Sequence, residues 1–281
     1  MFIRSLLVLL TLSVFISCSE DTDYLITIKT PYGDMKAILY EETPLHKQNF
    51  IKLAESGQYD STIFHRVIQN FMVQGGDINA KPGSEGTIDY TIPAEFVNKF
   101  VHEKGALAAA RQGDNVNPQK ESSGSQFYIA QGIVYDEAAL TTDYYKLNMA
   151  IRQLLQDSAY SGLKQQFIDL QQAGDNQGIQ NLTLQYKDTV IARYNAQVTK
   201  QVAPEQLAAY TTVGGIPHLD YEYTVFGKVV EGIEVVDQIG AQPTARGDKP
   251  VTDIYMTVEV EKVPKSMITE KYGYVYPTDP S

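Results

Sequence analysis

Two-residue alternation marks this chain on both sides of a long stretch, about residues 133–213, in which a helical period replaces it, so any fold must hold a helical insertion inside a β framework. Residues 24–30 alternate, with Leu25, Thr27 and Lys29 on one face and Tyr24, Ile26 and Ile28 on the other. Pro31, Tyr32, Gly33 and Asp34 supply a turn, and residues 35–40 alternate again, which predicts a hairpin. Further short strands are predicted at 62–67, 71–74, 126–130, 223–230 and 254–260. Thr43 before Pro44 predicts a helix start with a hydroxyl N-cap, Phe50, Leu53 and Ala54 as its apolar stripe and Gly57 as its end. A second short helix fits residues 235–239, with Gly240 as its stop. Many short strands with few helices point to a barrel or sandwich.

Inside the helical stretch, Leu147, Ile151, Leu154 and Leu155 form one stripe, and Leu163, Phe167 and Leu170 a second. Ile179, Leu182, Tyr186, Val190 and Tyr194 form a third, and Pro204 opens a last short helix. Three or four amphipathic helices are expected, packed on one another or on the β framework. No fixed period joins them, which argues against helical repeats. The aromatic run from Lys271 to Pro277 is expected to lie against the body.

Net charge is −11, from 23 basic and 34 acidic residues, which opposes a nucleic-acid partner. Residues 6–16 are apolar except for Thr11 and Ser13, too short a run for a permanent membrane span and suited to an export signal. Cys18, the single cysteine, follows Ser17 where cleavage would fall. This arrangement resembles a bacterial lipobox, although Phe15 stands where leucine is commoner. The resemblance implies acylation of Cys18, removal of residues 1–17, an acidic tether over 18–23, and anchoring to the outer membrane, on its periplasmic face or at the cell surface. An acylated Cys18 leaves no thiol for a disulfide.

The most informative run is Phe64-His65-Arg66-Val67-Ile68 followed by Phe71-Met72-Val73-Gln74-Gly75-Gly76-Asp77. Three further blocks follow in order: Tyr90 to Phe96, Gly105-Ala106-Leu107-Ala108-Ala109-Ala110-Arg111, and Gly124-Ser125-Gln126-Phe127-Tyr128-Ile129. After the helical stretch come His218-Leu219-Asp220 and Tyr223-Thr224-Val225-Phe226-Gly227. In these ordered motifs the chain is similar to the cyclophilin-type peptidyl-prolyl cis-trans isomerases. The resemblance covers residues 24–132 and 213–263. It implies a mainly β fold: a closed eight-stranded antiparallel barrel with two capping helices, split by a helical insertion over 133–212 and followed by a Tyr-rich tail over 264–281.

The resemblance places Arg66 and Gln74 in catalytic positions. It puts Phe71, Met72, Tyr128, Leu219 and Tyr223 around a proline pocket, Ala110, Arg111 and Gln126 along the substrate groove, and His218 where some members carry tryptophan. The chain has no tryptophan, and since that residue supports cyclosporin binding, weak inhibition by the drug is expected. Tyr128 stands where phenylalanine is usual, so its hydroxyl must find a partner. Tyr223 replaces a common histidine, and Arg111 a common asparagine. Alternation independently sets Met72 with Gln74, and Gln126 with Tyr128, but does not account for Phe71.

These residue types suit the reaction. Rotation about an X–Pro bond must cross about 18–20 kcal/mol because twisting breaks amide resonance. The twisted prolyl nitrogen regains a lone pair, so a fixed guanidinium can stabilise it selectively. No cofactor or metal is required; His46, His65, His102 and His218 lack metal-ligand spacing, and His65 is read as a hydrogen-bonded structural residue. Expected partners are proline-containing folding polypeptides and, through the lipid anchor, the membrane, with the protein itself monomeric. The alternative reading is a non-catalytic, proline-peptide-binding chaperone or assembly factor on the same scaffold.

Overall fold

A computed structural model describes residues 21–81, 83 and 88–277; the expected signal segment and Cys18 lie outside the described residues. The chain opens with β1 (Thr22–Thr30) and β2 (Gly33–Leu39), then α1 (Pro44–Glu55), β3 (Thr62–Ile68) and β4 (Met72–Gly75). Next come β5 (Thr91–Ile92), β6 (Ala106–Ala109), β7 (Ser122–Ser123) and β8 (Phe127–Ala130). Six helices follow: α2 (Glu137–Leu140), α3 (Tyr144–Leu154), α4 (Ser161–Gln172), α5 (Asn176–Gln185), α6 (Lys187–Tyr194) and α7 (Pro204–Thr212). The chain ends with β9 (Val225–Glu231), α8 (Ile233–Gly240), β10 (Tyr255–Pro264) and α9 (Lys265–Tyr272). No described helix is long and apolar enough to cross a membrane.

Eight strands close the antiparallel barrel that the family resemblance implied, in the order β1-β10-β3-β4-β8-β6-β9-β2, and β5 with β7 forms a separate ribbon. Side chains alternate across the barrel wall. Ile26, Phe64, Val73, Leu107, Phe127 and Ile129 fill the interior together with Phe50 and Leu53 of α1 and Val236 and Ile239 of α8. Met72, Ala108, Tyr128 and Ala130 face outward, in a second cluster with Phe71, Leu219 and Tyr223. Every residue of β8 and all of β4 except the half-buried Gln74 are buried, so neither strand shows the fully polar face of a solvated sheet. Full burial of each large apolar side chain contributes about 1.5–3 kcal/mol.

The helical stretch has its own core, built on Leu147, Ile151, Leu154, Leu163, Leu182 and Val190. It leaves and rejoins the barrel through a pinched stem. Ile133 and Gly215 exchange backbone hydrogen bonds (3.3 and 3.0 Å), and a Cβ on Gly132, whose φ is +61°, would stand 2.1 Å from the Gly215 carbonyl oxygen. Only glycine fits there. Helix α7 returns toward the barrel, where Tyr210 packs with Val101 and Leu140.

Several local expectations need correction. The stretch holds six helices rather than three or four, because short polar loops capped by Asp143 and Asp175 break its stripes. The Thr43 hydroxyl does not cap α1; it donates to the Tyr40 carbonyl (3.3 Å). Glu95 does the capping from a distant loop, accepting from Leu45 N (3.1 Å) and His46 N (3.0 Å). Thr22 and Asp23, expected in a free tether, belong to β1, and Asp23 is buried against Lys47 at 2.5 Å. The aromatic tail lies against the body as expected, with Tyr272, Tyr274 and Tyr276 packed on the outer cluster and Tyr276 donating to Asp23 (3.0 Å), but it begins as helix α9. His65 is half-buried, and its Nδ1 has no partner among the described residues.

Candidate active site

On the outer wall between β3, β4, β6 and β8 lies a hollow of about 90 Å³ lined by Arg66, Phe71, Met72, Gln74, Ala110, Arg111, Tyr128, Leu219 and Tyr223. Nine of the eleven groove residues named from sequence therefore meet in one place. The other two lie against them. Gln126 accepts from Gln74 Nε2 (3.1 Å) and donates to Asp77 (3.0 Å), and the His218 ring stacks on Phe71 at 5.7 Å and 5°.

Arg66 reaches this wall through a bulge. Phe64 pairs with Gly75 but Arg66 with Gln74, so β3 carries one residue more than β4 at His65. Without the shift Arg66 would share the inward face of Phe64; with it, Phe64 and Val67 point into the core and Arg66 stands outside, across from Gln74. Its Nε donates to Asp248 (3.3 Å), and no acceptor among the described residues takes its terminal N–H groups. The Arg66 side chain is about two-fifths exposed, and among the described residues its guanidinium is held at Nε alone.

Phe71 joins Met72 because it precedes β4 and is set by a turn. Asn70 takes a left-handed φ of +62°, Phe71 N donates to Ile68 O (3.1 Å), and Gln131 and Gly132 both donate to Phe71 O (2.8 and 3.0 Å). Leu219 and His218 sit on a single 3-10 turn, Pro217–Leu219, which follows the insertion's return.

Arg111 is fastened into the wall. Four of its five N–H donors go to Glu222 O (2.7 Å), Gln112 O (2.9 Å), Asp114 (2.6 Å) and the Glu222 carboxylate (3.2 Å). The guanidinium also lies 4.5 Å from the Tyr223 ring centre. Its donors serve the protein's own loop, and what it offers the hollow is a flat wall.

The Tyr128 hydroxyl has found its partner in a residue the sequence did not single out. It meets His102 Nε2 at 2.8 Å, and His102 Nδ1 meets Asp220 at 3.0 Å. Burial drives His102 below its ordinary value of 6.5 against the raising effect of Asp220. Burial would push the Asp220 carboxyl up, but hydrogen bonds from His102 and Tyr210 bring it below the usual carboxylate range. Burial holds the Tyr128 phenol well above its ordinary range, so it stays protonated. Asp220 stood inside a quoted motif, and an unpaired Tyr128 hydroxyl demanded a partner; His102 and Tyr210 carried no pattern that would single them out.

A larger cleft, about 650 Å³, runs beside α1 past Asp23, Lys47 and Lys262, but its mixed charges gather around no apolar hollow.

The structure is thus a closed antiparallel barrel with an arginine-edged apolar hollow on its outer wall. The chain belongs to the family described as "Cyclophilin type peptidyl-prolyl cis-trans isomerase/CLD", which matches residues 25–142 and 164–260. It is 31% identical over 240 residues to a Streptococcus pyogenes serotype M6 protein named "Putative bifunctional phosphatase/peptidyl-prolyl cis-trans isomerase", covering 84% of this chain and 38% of that protein. It is 27% identical over 246 residues to a Staphylococcus epidermidis protein named "Putative peptidyl-prolyl cis-trans isomerase", covering 86% of this chain and 94% of that one. A Cryptosporidium parvum cyclophilin type peptidyl-prolyl cis-trans isomerase structure aligns with a TM-score of 0.49 and 20% identity, covering 86% of this chain and 98% of that one.

Proposed function

We propose that the hollow takes the proline ring of a peptide and that Arg66 accelerates rotation of the preceding bond. The observation that carries this reading is a guanidinium tethered through Nε alone at the rim of a hollow walled by Phe71, Met72, Tyr128 and Leu219. Bringing isomerisation from tens of seconds to milliseconds needs roughly 10⁴-fold, about 5.4 kcal/mol of preferential transition-state binding. A charged hydrogen bond to the pyramidal prolyl nitrogen contributes about 1.5–3 kcal/mol, because the planar amide offers no acceptor there. The apolar walls add to this, since the twisted amide is less polar than the resonant one. Gln74, cross-strand from Arg66 and bonded to Gln126, lines the same rim for the substrate backbone.

The clients in this reading are folding polypeptides of the cell envelope. Acylation of Cys18 after removal of residues 1–17 would hold the barrel at the outer membrane, supported by the apolar run before a lone cysteine. Labelling with a fatty-acid analogue, lost in Cys18→Ser, tests the anchor. For the chemistry, a protease-coupled isomerase assay on an X–Pro peptide compares the wild type with Arg66→Ala. Full turnover by Arg66→Ala would refute the arginine mechanism, and peptide binding without turnover by the wild type would favour a chaperone on this scaffold.

A further inference from the structure

The partner of Tyr128 belongs to a buried chain of polar groups that runs from the hollow into the insertion. Tyr128 Oη lies 2.8 Å from His102 Nε2, and His102 Nδ1 lies 3.0 Å from Asp220 Oδ1, which also accepts from His102 N (2.8 Å). Two residues of α7 complete the carboxylate's shell: Tyr210 Oη stands 2.7 Å from each Asp220 oxygen, and Gln206 Nε2 donates to Oδ2 (2.8 Å). His102 and Tyr210 are wholly buried, and Tyr128 and Asp220 nearly so.

The order of donors follows from chemistry. A carboxylate only accepts, so His102 Nδ1 carries the proton, and the neutral ring then presents a lone pair at Nε2. Tyr128 must donate to it. The phenol O–H is thereby drawn inward, and the ring stands as a wall of the hollow, edge-to-face with Tyr223 at 5.8 Å and 84°. The logic is that of an outer partner fixing the tautomer and orientation of an inner ligand.

We infer that His102 and Asp220 are positioning residues for the proline hollow, and that α7 of the insertion, through Tyr210 and Gln206, holds them in place. The insertion is thus a structural component of the isomerase site rather than an appended module. This rests on the reading that the hollow binds proline. A wall that contacts the proline ring in both ground and transition states affects binding more than turnover.

The test is a double-mutant cycle on the full chain with an X–Pro peptide, reading KM and kcat separately. Tyr210→Phe is expected to raise KM about tenfold, the effect of losing one hydrogen bond to a charged group, with kcat within about twofold. In a Tyr128→Phe background, which has no hydroxyl to orient, the same Tyr210→Phe change is expected to shift KM by less than about twofold relative to Tyr128→Phe alone. A purely structural role would instead lower the active fraction, cutting kcat with KM unmoved. That result, or equal effects of Tyr210→Phe in both backgrounds, overturns the inference. Should Tyr210→Phe not fold, Gln206→Leu is read the same way, and failure of both to fold also overturns it. Arg66→Ala run alongside separates the two readings: if it keeps full turnover while Tyr210→Phe moves KM, the arginine mechanism falls and the positioning role stands. If Arg66→Ala is inactive and Tyr210→Phe moves only kcat, the reverse holds.

Discussion

Arg66 lies directly across from Gln74 in the pairing of β3 with β4, and the extra residue at His65 is what sets Arg66 on the outer face. A side chain at the rim of the hollow is thereby separated from Phe64, two positions earlier, which is fully buried in the barrel core. The bulge turns one strand into both core and site.

Arg66→Ala should lower kcat/KM by roughly 10- to 150-fold, the equivalent of about 1.5–3 kcal/mol for a charged hydrogen bond made in the transition state. Its thermal midpoint should barely move, because the Arg66–Asp248 pair is exposed on both sides and such pairs contribute little. Arg66→Lys should recover only part of the rate, since an ammonium cannot hold one partner while presenting a fixed fork to another. Initial rates in the coupled assay, with circular dichroism melts, check all three statements.

The barrel was legible because alternation in β1 and β2 and a series of short strands pointed to a barrel or sandwich, and the ordered motifs of the family resemblance chose the closed barrel. Arg66 was not legible from periodicity: strict alternation puts it on the face of Phe64, and only family resemblance placed it correctly beside the hollow. Phe71 escaped for a related reason, its direction being set by the left-handed Asn70. The cap on α1 was misread because Glu95 reaches it from a loop 50 residues away, outranking the adjacent Thr43. The Asp220–His102–Tyr128 chain joins segments more than a hundred residues apart, and no local pattern announces such a partnership.

Acid should destabilise the protein earlier than carboxylate titration alone would. His46, His65 and His102 are all held below their ordinary 6.5, in each case chiefly by burial. The unfolded chain therefore binds protons that the folded chain refuses. Stability is complete above about pH 6.5 and falls as pH drops below it, until the folded-state values are reached. Asp220, held below 3.8, adds a second loss as pH falls through its own depressed value. Around His102 the groups that set this behaviour are Asp220, Tyr128, Tyr210, Tyr223 and His218. Urea denaturation from pH 8 to pH 4 should show the midpoint declining from the mid-sixes, and His102→Phe combined with Tyr128→Phe should flatten part of that slope. A midpoint constant down to pH 5 would contradict this account.

His218 lies flat on Phe71 at the edge of the hollow, and the family resemblance aligns it with a tryptophan that supports cyclosporin binding in some members. An imidazole covers less apolar area than an indole and supplies a different donor. Cyclosporin should therefore inhibit weakly. His218→Trp should tighten inhibition, with peptide turnover changed much less. Nanomolar inhibition of the wild type in the coupled assay would rule this out.

Lys47 offers the sharpest stability test because its ammonium is nearly buried with all three donors engaged: Asp23 (2.5 Å), Glu41 (2.8 Å) and the Leu39 carbonyl (3.2 Å). The residue ties α1 to β1, and through Asp23 to Tyr276 of the tail. Lys47→Met strands the buried Asp23 carboxylate, left with Tyr24 N and the Tyr276 hydroxyl, and should cost about 3–5 kcal/mol. Asp23→Ala should cost less, since Lys47 keeps Glu41 and Leu39 O and Glu41 remains open to water. Replacing both, as Asp23→Leu with Lys47→Met, should recover most of the loss, because neither change then leaves a buried charge alone. Chemical denaturation of the three variants decides the matter: equal costs for the two single changes, or no recovery in the pair, would mean that α1 is held by its apolar face and not by this lysine.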